Sequence, residues 1–203
     1  LFSEIEFWKK TEHLSQVDVL IATPPCQGMS VANHKKSVNE IIRNSLVIES
    51  IKIIREVNPK FFIFENVPAF MKTVCTDIGG KEKTIAQAIE DNLGENYSYI
   101  SRVINFKDYG ACSSRQRTLV IGVSKKLADD ISPIELYPEI EPEKTLREVI
   151  GSLKSLDFGE IDKNDFYHAF RKYPEHMRSW IHELKEGESA FDNKDVDKIP
   201  HQI

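Results

Sequence analysis

Apolar and polar positions along the chain fall into short blocks rather than one long period. Val19-Leu20-Ile21-Ala22 is an uninterrupted apolar run inside residues 17–22, the length of one strand and of the kind buried on both faces in a parallel sheet. Residues 27–40 are polar, contain Gly28 and show no period, which predicts a long loop. From Ile41 to Val57 the positions Ile42, Leu46, Val47, Ile51 and Ile54 recur at helical spacing, and Asn58-Pro59 ends the run. Phe61 to Phe64 is a second buried strand closing on Glu65-Asn66. A helix fits Thr84 to Leu93 with Gly94 as its terminator, then come strands over Tyr97–Phe106 and Thr118–Val123. Strands alternating with helices predict an open α/β sheet with right-handed crossovers.

The texture changes after residue 124. Residues 125–143 are rich in Pro, Glu and Asp and read as a linker between a core over 1–124 and a separate unit over 144–203. In that unit, Thr145 to Glu148 has the spacing of a capping box opening a helix to about Leu153. A second helix fits Pro174 to Glu186, with Met177, Trp180, Ile181 and Leu184 on one stripe and Gly187 at its end.

Composition narrows the class. The chain has 203 residues, an ordinary apolar share and a net charge of −5, so any polyanion site must be local. No apolar run approaches the roughly 20 residues that span a bilayer, and the N-terminus lacks signal-peptide character, which predicts an intracellular chain with no membrane partner. Three cysteines, Cys26, Cys75 and Cys112, are widely scattered. That spacing is neither a disulfide framework nor a zinc pattern, so no metal is expected and at least one thiol stays free. The absence of an initial Met and of a terminal element suggests a piece of a longer protein.

Three polar clusters sit at strand ends, where open α/β sheets build their sites. In the first, Pro24-Pro25 stiffen the backbone directly before Cys26, and a thiol acts as nucleophile only as thiolate in an accessible place. In the second, Glu65 stands at the mouth of an apolar strand, where burial would raise its pKa and let it hold a proton for general-acid work. In the third, Arg115 and Arg117 stand two apart before a strand and would point to one side, a fork suited to a phosphate or a carbonyl oxygen. Taken singly, each has a plain alternative: a buried structural thiol, a turn-forming Glu-Asn, two exposed arginines on a strand edge.

Taken together and in this order, the clusters resemble the cytosine-5 DNA methyltransferase family. "PPCQGMS" is similar to its Pro-Cys-Gln nucleophile loop, "RNSL" (Arg43 to Leu46) to its Arg-x-x-Leu motif, and "FENV" to its Glu-Asn-Val motif. "DYGACSSRQR" (Asp108 to Arg117) resembles its Tyr-Gly…Gln-x-Arg-x-Arg segment. The resemblance covers roughly residues 17–123 and implies part of a Rossmann-like α/β sheet with helices on both faces. Cys112-Ser113 stand where the family has Pro-Gln, and the glycine-rich cofactor loop and closing motifs have no counterpart in the sequence. The tail is loosely similar to the start of the family's target-recognition region.

The resemblance implies methyl transfer from S-adenosylmethionine to carbon 5 of a cytosine flipped out of double-stranded DNA, by a monomeric, cytoplasmic, prokaryotic enzyme of restriction-modification type. Cys26 would bond covalently to ring carbon 6, and a protonated Glu65 would engage nitrogen 3 and the exocyclic amine. Arg117 would hold the carbonyl oxygen at position 2, with Arg115 supporting the loop or a phosphate. Gln27, Ser30, Lys35 and Lys36 would contact DNA, and Pro25 and Leu46 would face the cofactor. The chain alone is expected to be inactive and without measurable S-adenosylmethionine affinity. Three other readings stand beside this one: a transfer-RNA cytosine-5 methyltransferase, a cysteine hydrolase using His34, and a catalytically incomplete binding module.

Overall fold

The computed structural model describes residues 2–12, 16–25, 46–182 and 184–193. The expected loop over 27–40, the helix start at residues 41–45, and Cys26, Gln27, Ser30, His34, Lys35, Lys36 and Arg43 lie outside the described residues. Two compact units divide at Val149/Ile150. The first carries α1 (Phe2–Thr11), β1 (Val19–Ala22), α2 (Leu46–Val57), β2 (Phe61–Asn66), β3 (Val74–Thr76), β4 (Glu82–Thr84), α3 (Ile85–Leu93), β5 (Tyr97–Asn105) and β6 (Gln116–Ser124).

Four strands make the main sheet in the order β1-β2-β6-β5. β1 and β2 run parallel, joined through α2, whereas β6 lies antiparallel between β2 and β5. The fold is thus α/β as expected, with a mixed sheet rather than a parallel one. β6 follows β5 closely enough to return as a hairpin neighbour, and an antiparallel pair needs no crossover helix.

One face of the sheet holds the core. Phe62, Phe64, Tyr97 and Val120 pack there against Val47, Ile48, Ile51 and Ile54 of α2 and Ile85, Ala88, Ile89 and Leu93 of α3. Truncating a ring such as Phe64, buried without residual exposure, to alanine typically costs ~3–5 kcal/mol. Gly122 is opposite Phe62 in the ladder, and a Cβ there would fall on the Phe62 ring, so only glycine lets that ring lie across β6.

The other face differs in kind. It carries Val19 and Ile21 of β1, Phe61 and Ile63 of β2, and Ile121 and Val123 of β6. Ile121 and Val123 are buried, but Ile21 is 66% exposed and Val19 also faces outward. β1 was expected to be buried on both faces; only its Leu20 and Ala22 side packs on the core. An apolar run marks a strand but not which of its faces finds a partner.

Residues 125–143, read as a linker, return to the sheet. A 3-10 turn over Pro133–Leu136 lies against β5 and β6. The Tyr137 hydroxyl then donates to the carbonyls of Leu119 and Ile100, and Arg102 stacks on its ring. Two elements had no sequence signal: α1, and the β3–β4 hairpin.

In the remaining stretch, Thr145 makes the expected capping box with Glu148, but α4 (Leu146–Ile150) ends at the unit boundary. The second unit is held by a small aromatic cluster of Phe158, Phe170 and Tyr173, with Arg178 over the Phe158 ring. Its helix α5 spans Glu175–His182, shorter than expected, and Gly187 sits at positive φ in a separate turn.

Candidate active site

β1 and β2 both end, by their carboxyl termini, at the same rim of the sheet. Ala22 pairs with Phe64, so continuing that register places Pro24 opposite Asn66. The buried Asn66 uses this position fully. Its Nδ2 donates to the Pro24 carbonyl at 2.8 Å, and its Oδ1 accepts from the Val67 amide at 2.9 Å. The Thr118 hydroxyl donates to the Val67 carbonyl at 3.0 Å, fastening the same turn to β6. The double proline therefore leaves the sheet on a tether, with Pro24 buried and Pro25 exposed as the last described residue before Cys26. Asn66 was not singled out as a functional residue; its place in "FENV" directly after Glu65 was the available signal.

Glu65 points to the opposite side of β2 from Asn66. It pairs in register with Leu119, so Arg117, two residues earlier on β6, shares its face as a diagonal neighbour. Arg117 Nε lies 2.9 Å from Glu65 Oε1, with the arginine side chain 16% and the glutamate 34% exposed. The neutral, apolar mouth expected for Glu65 is instead a mouth with a guanidinium in it. Arg117 Nη1 donates to the Gln116 carbonyl at 2.7 Å, which fixes the plane of the fork. Its Nη2 has no protein acceptor among the described residues.

Arg115 stands apart. β6 begins at Gln116, so the extended pairing expected of the two arginines covers Arg117 alone. The Arg115 amide donates to Ser113 and its carbonyl accepts from Phe106, while its side chain is exposed.

A recess of about 350 Å³ opens between the end of β1 and α2, lined by Leu20, Ile21, Ala22, Thr23, Pro24, Ser50 and Ile53. Pro25 and Leu46, expected to face a cofactor, are both exposed beside it rather than in its lining. The described lining is apolar with two hydroxyls and no charge, a surface that could receive one flank of a nucleoside.

The other thiols are of a different kind. Cys75 is fully buried on β3, and burial, reinforced by Asp77, pushes its thiol up to about 11 against the pull of Lys83. Cys112 is exposed on the loop before β6; both are free. No group of His, Cys, Asp and Glu among the described residues could hold a metal ion, and no helix among them is long and apolar enough to cross a membrane.

Comparison with known proteins gives the family. The chain is 32% identical over 182 residues to the type II methyltransferase M1.HgaI of Avibacterium volantium, covering 88% of this chain and 49% of that protein. It is 33% identical over 176 residues to the type II methyltransferase M.DdeI of Desulfomicrobium norvegicum, covering 81% of this chain and 40% of that protein. The chain thus spans about half, or less, of the length of the curated relatives it matches. A prophage-encoded E. coli protein, described as a candidate DNA modification methyltransferase, superposes with a TM-score of 0.58 at 26% identity, over 79% of this chain and 42% of that one. The model of the C-5 cytosine-specific DNA methylase family matches residues 2–201, and the chain belongs to that family.

Proposed function

We propose that the protein to which this chain belongs is a DNA (cytosine-5) methyltransferase, in which Cys26 forms a covalent adduct with a cytosine extruded from duplex DNA. The observation that carries the proposal is the Glu65–Arg117 pair standing on the rim where Asn66 holds the Pro24 carbonyl. A carboxylate on β2, a guanidinium on β6 and the root of the proline-stiffened loop that follows β1 stand at one rim of the sheet. A pyrimidine entering there meets complementary groups.

The ring's amidine edge, nitrogen 3 and the exocyclic amine, would meet Glu65. The second Glu65 oxygen and the carboxyl proton it can carry would stabilise charge there as the Cys26 sulfur bonds to carbon 6. Among the described residues Arg117 uses Nε and one Nη1 hydrogen, so Nη2 would offer a donor to the ring's carbonyl oxygen. Bond formation at carbon 6 raises electron density at carbon 5, which aromatic cytosine otherwise lacks. S-adenosylmethionine would supply the methyl group as an electrophilic sulfonium, with the recess beside Pro24 and Ser50 as one wall of its site. Loss of the carbon-5 proton then restores the ring and expels the thiolate.

The test uses the complete protein and duplex DNA with 5-fluorocytosine at the target. Fluorine in place of that proton blocks the last step, so a covalent protein–DNA adduct should accumulate, and Cys26→Ser should abolish it. An adduct with transfer RNA and none with DNA would reassign the substrate. No adduct with either would reject the covalent mechanism.

A further inference from the structure

The loop that delivers Arg115 and Arg117 to β6 does not stand alone. Its neck is closed within itself: the Phe106 amide donates to the Arg115 carbonyl at 3.1 Å, and the Ala111 amide returns to the Phe106 carbonyl at 3.2 Å. Asn105 Nδ2 adds a bond to the Ser114 hydroxyl. Its apex, Tyr109-Gly110, is met from outside by residues 141–144. The Glu141 amide donates to the Asp108 carbonyl at 2.9 Å, forming a parallel bridge between Tyr109 and Glu141. Lys107 Nζ lies 3.2 Å from Glu143, and Lys144 Nζ 3.5 Å from Glu141.

Gly110 marks the contact most sharply. It adopts φ +79°, and the place where a Cβ would project is already filled by Glu141 Oε2, at 2.5 Å, with Lys144 Nζ at 3.3 Å. The left-handed backbone favours glycine here, and its bare Cα lets the Glu141 carboxylate settle over it. The flanking ion pairs are exposed and contribute little by themselves. The backbone bond from Glu141 ties the loop, and its carboxylate lies over Gly110.

We propose that residues 141–144 form a strap that positions the arginine loop, with Glu141 as the positioning residue that acts through Gly110 on Arg117 and its pair with Glu65. The catalytic consequence rests on the function proposed above; the mechanical claim does not. The strap ends just before the boundary with the second unit, so the chain segment leaving the catalytic unit is the one that braces the arginines.

The test has two arms. In the 203-residue chain, nuclear magnetic resonance follows the Arg117 Nε–H signal and the exchange of the Ala111 and Arg115 amides. Glu141→Ala, which keeps the backbone bond and removes only the side chain over Gly110, should shift the arginine signal and speed both amides, leaving those of Ile121 and Val123 unchanged; Glu141→Gln, which keeps the bulk, should restore most of the signal. Gly110→Ala should perturb the same signals, and combining it with Glu141→Ala should give less than the sum of the two, because the collision is gone. In the complete protein, Glu141→Ala should lower kcat roughly tenfold, the scale of a small misplacement, with KM for DNA unchanged. An unmoved arginine signal, strictly additive variants, or an unchanged kcat would each overturn the strap. None of the resonance readouts needs DNA or cofactor, so their failure sinks the strap alone, whereas a wild-type protein that transfers no methyl group sinks the proposed function.

Discussion

Glu65 and Asp77 are both carboxylates facing a cation at nearly the same distance, 2.9 Å to Arg117 and 2.8 Å to Lys83. Their surroundings differ entirely. Asp77 has a side chain only 7% exposed and also accepts from Asn92 of α3 at 2.9 Å. Lys83 in turn reaches Asp91, so the β3–β4 hairpin is riveted to α3 by a network in which every member is used. Among the described residues Glu65 meets one cation, through Oε1, and a third of its side chain is in water. The difference teaches what separates a brace from a candidate site: Asp77 spends both oxygens inside the protein, and Glu65 shows one engaged among the described residues.

The comparison is broken most severely at its functional end. In the complete protein, Glu65→Gln keeps the shape but removes the carboxyl's acid–base capacity, and methyl transfer should fall by about 10²–10⁴-fold, the usual scale of general acid–base help. The thermal midpoint should barely move, because an ion pair this exposed contributes at most about 1 kcal/mol. Methyl incorporation and a melting curve on the same preparation check both halves. A large stability loss with little loss of rate would make Glu65 another brace.

Asp77→Ala should show the mirror image: a stability loss of about 2–3 kcal/mol, measured by urea unfolding, since it removes the acceptor of one Asn92 bond and of Lys83 at a largely buried position, with Asn92 keeping Ala88 and Lys83 keeping Asp91. The effect carries a pH signature. Burial works against ionising Asp77, but hydrogen bonds from Lys83, the Ile78 amide and Asn92, with the Lys83 charge, outweigh it and hold the carboxyl below its ordinary range. A carboxyl lowered on folding stabilises above the unfolded value, near about 4, and that contribution drains away as pH falls through the folded value. The gap between wild type and Asp77→Asn should therefore be full at neutral pH and narrow below about pH 4. A gap independent of pH would mean the charge of Asp77 does no stabilising.

How much of this contrast was legible in the sequence follows from the range of the interactions involved. Phe61–Phe64 and Thr118–Val123 announced strands because apolar runs flanked by turn residues are local signals, and Thr84 announced a helix start for the same reason. The three clusters at strand ends led to Glu65 and Arg117. Their pairing could not be read, because it depends on β6 inserting antiparallel beside β2, a register fixed across more than fifty residues. The β3–β4 hairpin escaped because three-residue polar strands such as Glu82–Thr84 carry no period. Glu141 escaped because an acidic, proline-rich stretch resembles a linker until its contact with Gly110 is seen. β1 showed the converse failure: a wholly apolar run overstated burial.

The smallest expected effect sharpens the comparison at the brace. Thr84 caps α3 with both halves of a capping box: its hydroxyl accepts from the Gln87 amide at 3.2 Å, and the Gln87 side chain accepts from the Thr84 amide at 3.1 Å. The same residue ends β4, pairing with Val74, so the cap joins the hairpin to the helix that carries Asn92 and Asp91. Thr84→Ala should cost about 1 kcal/mol, the ordinary worth of such a cap. Because cap and Asp77 network fasten the same hairpin to the same helix, the two losses should not add: the double variant with Asp77→Ala should lose less than the sum, once the hairpin is already loosened. Thr84→Ala combined with Glu65→Gln should be additive, because the rim of the main sheet does not depend on that hairpin. Urea midpoints for the three single and two double variants decide it, and additivity in the first pair would show that cap and network act as separate fasteners.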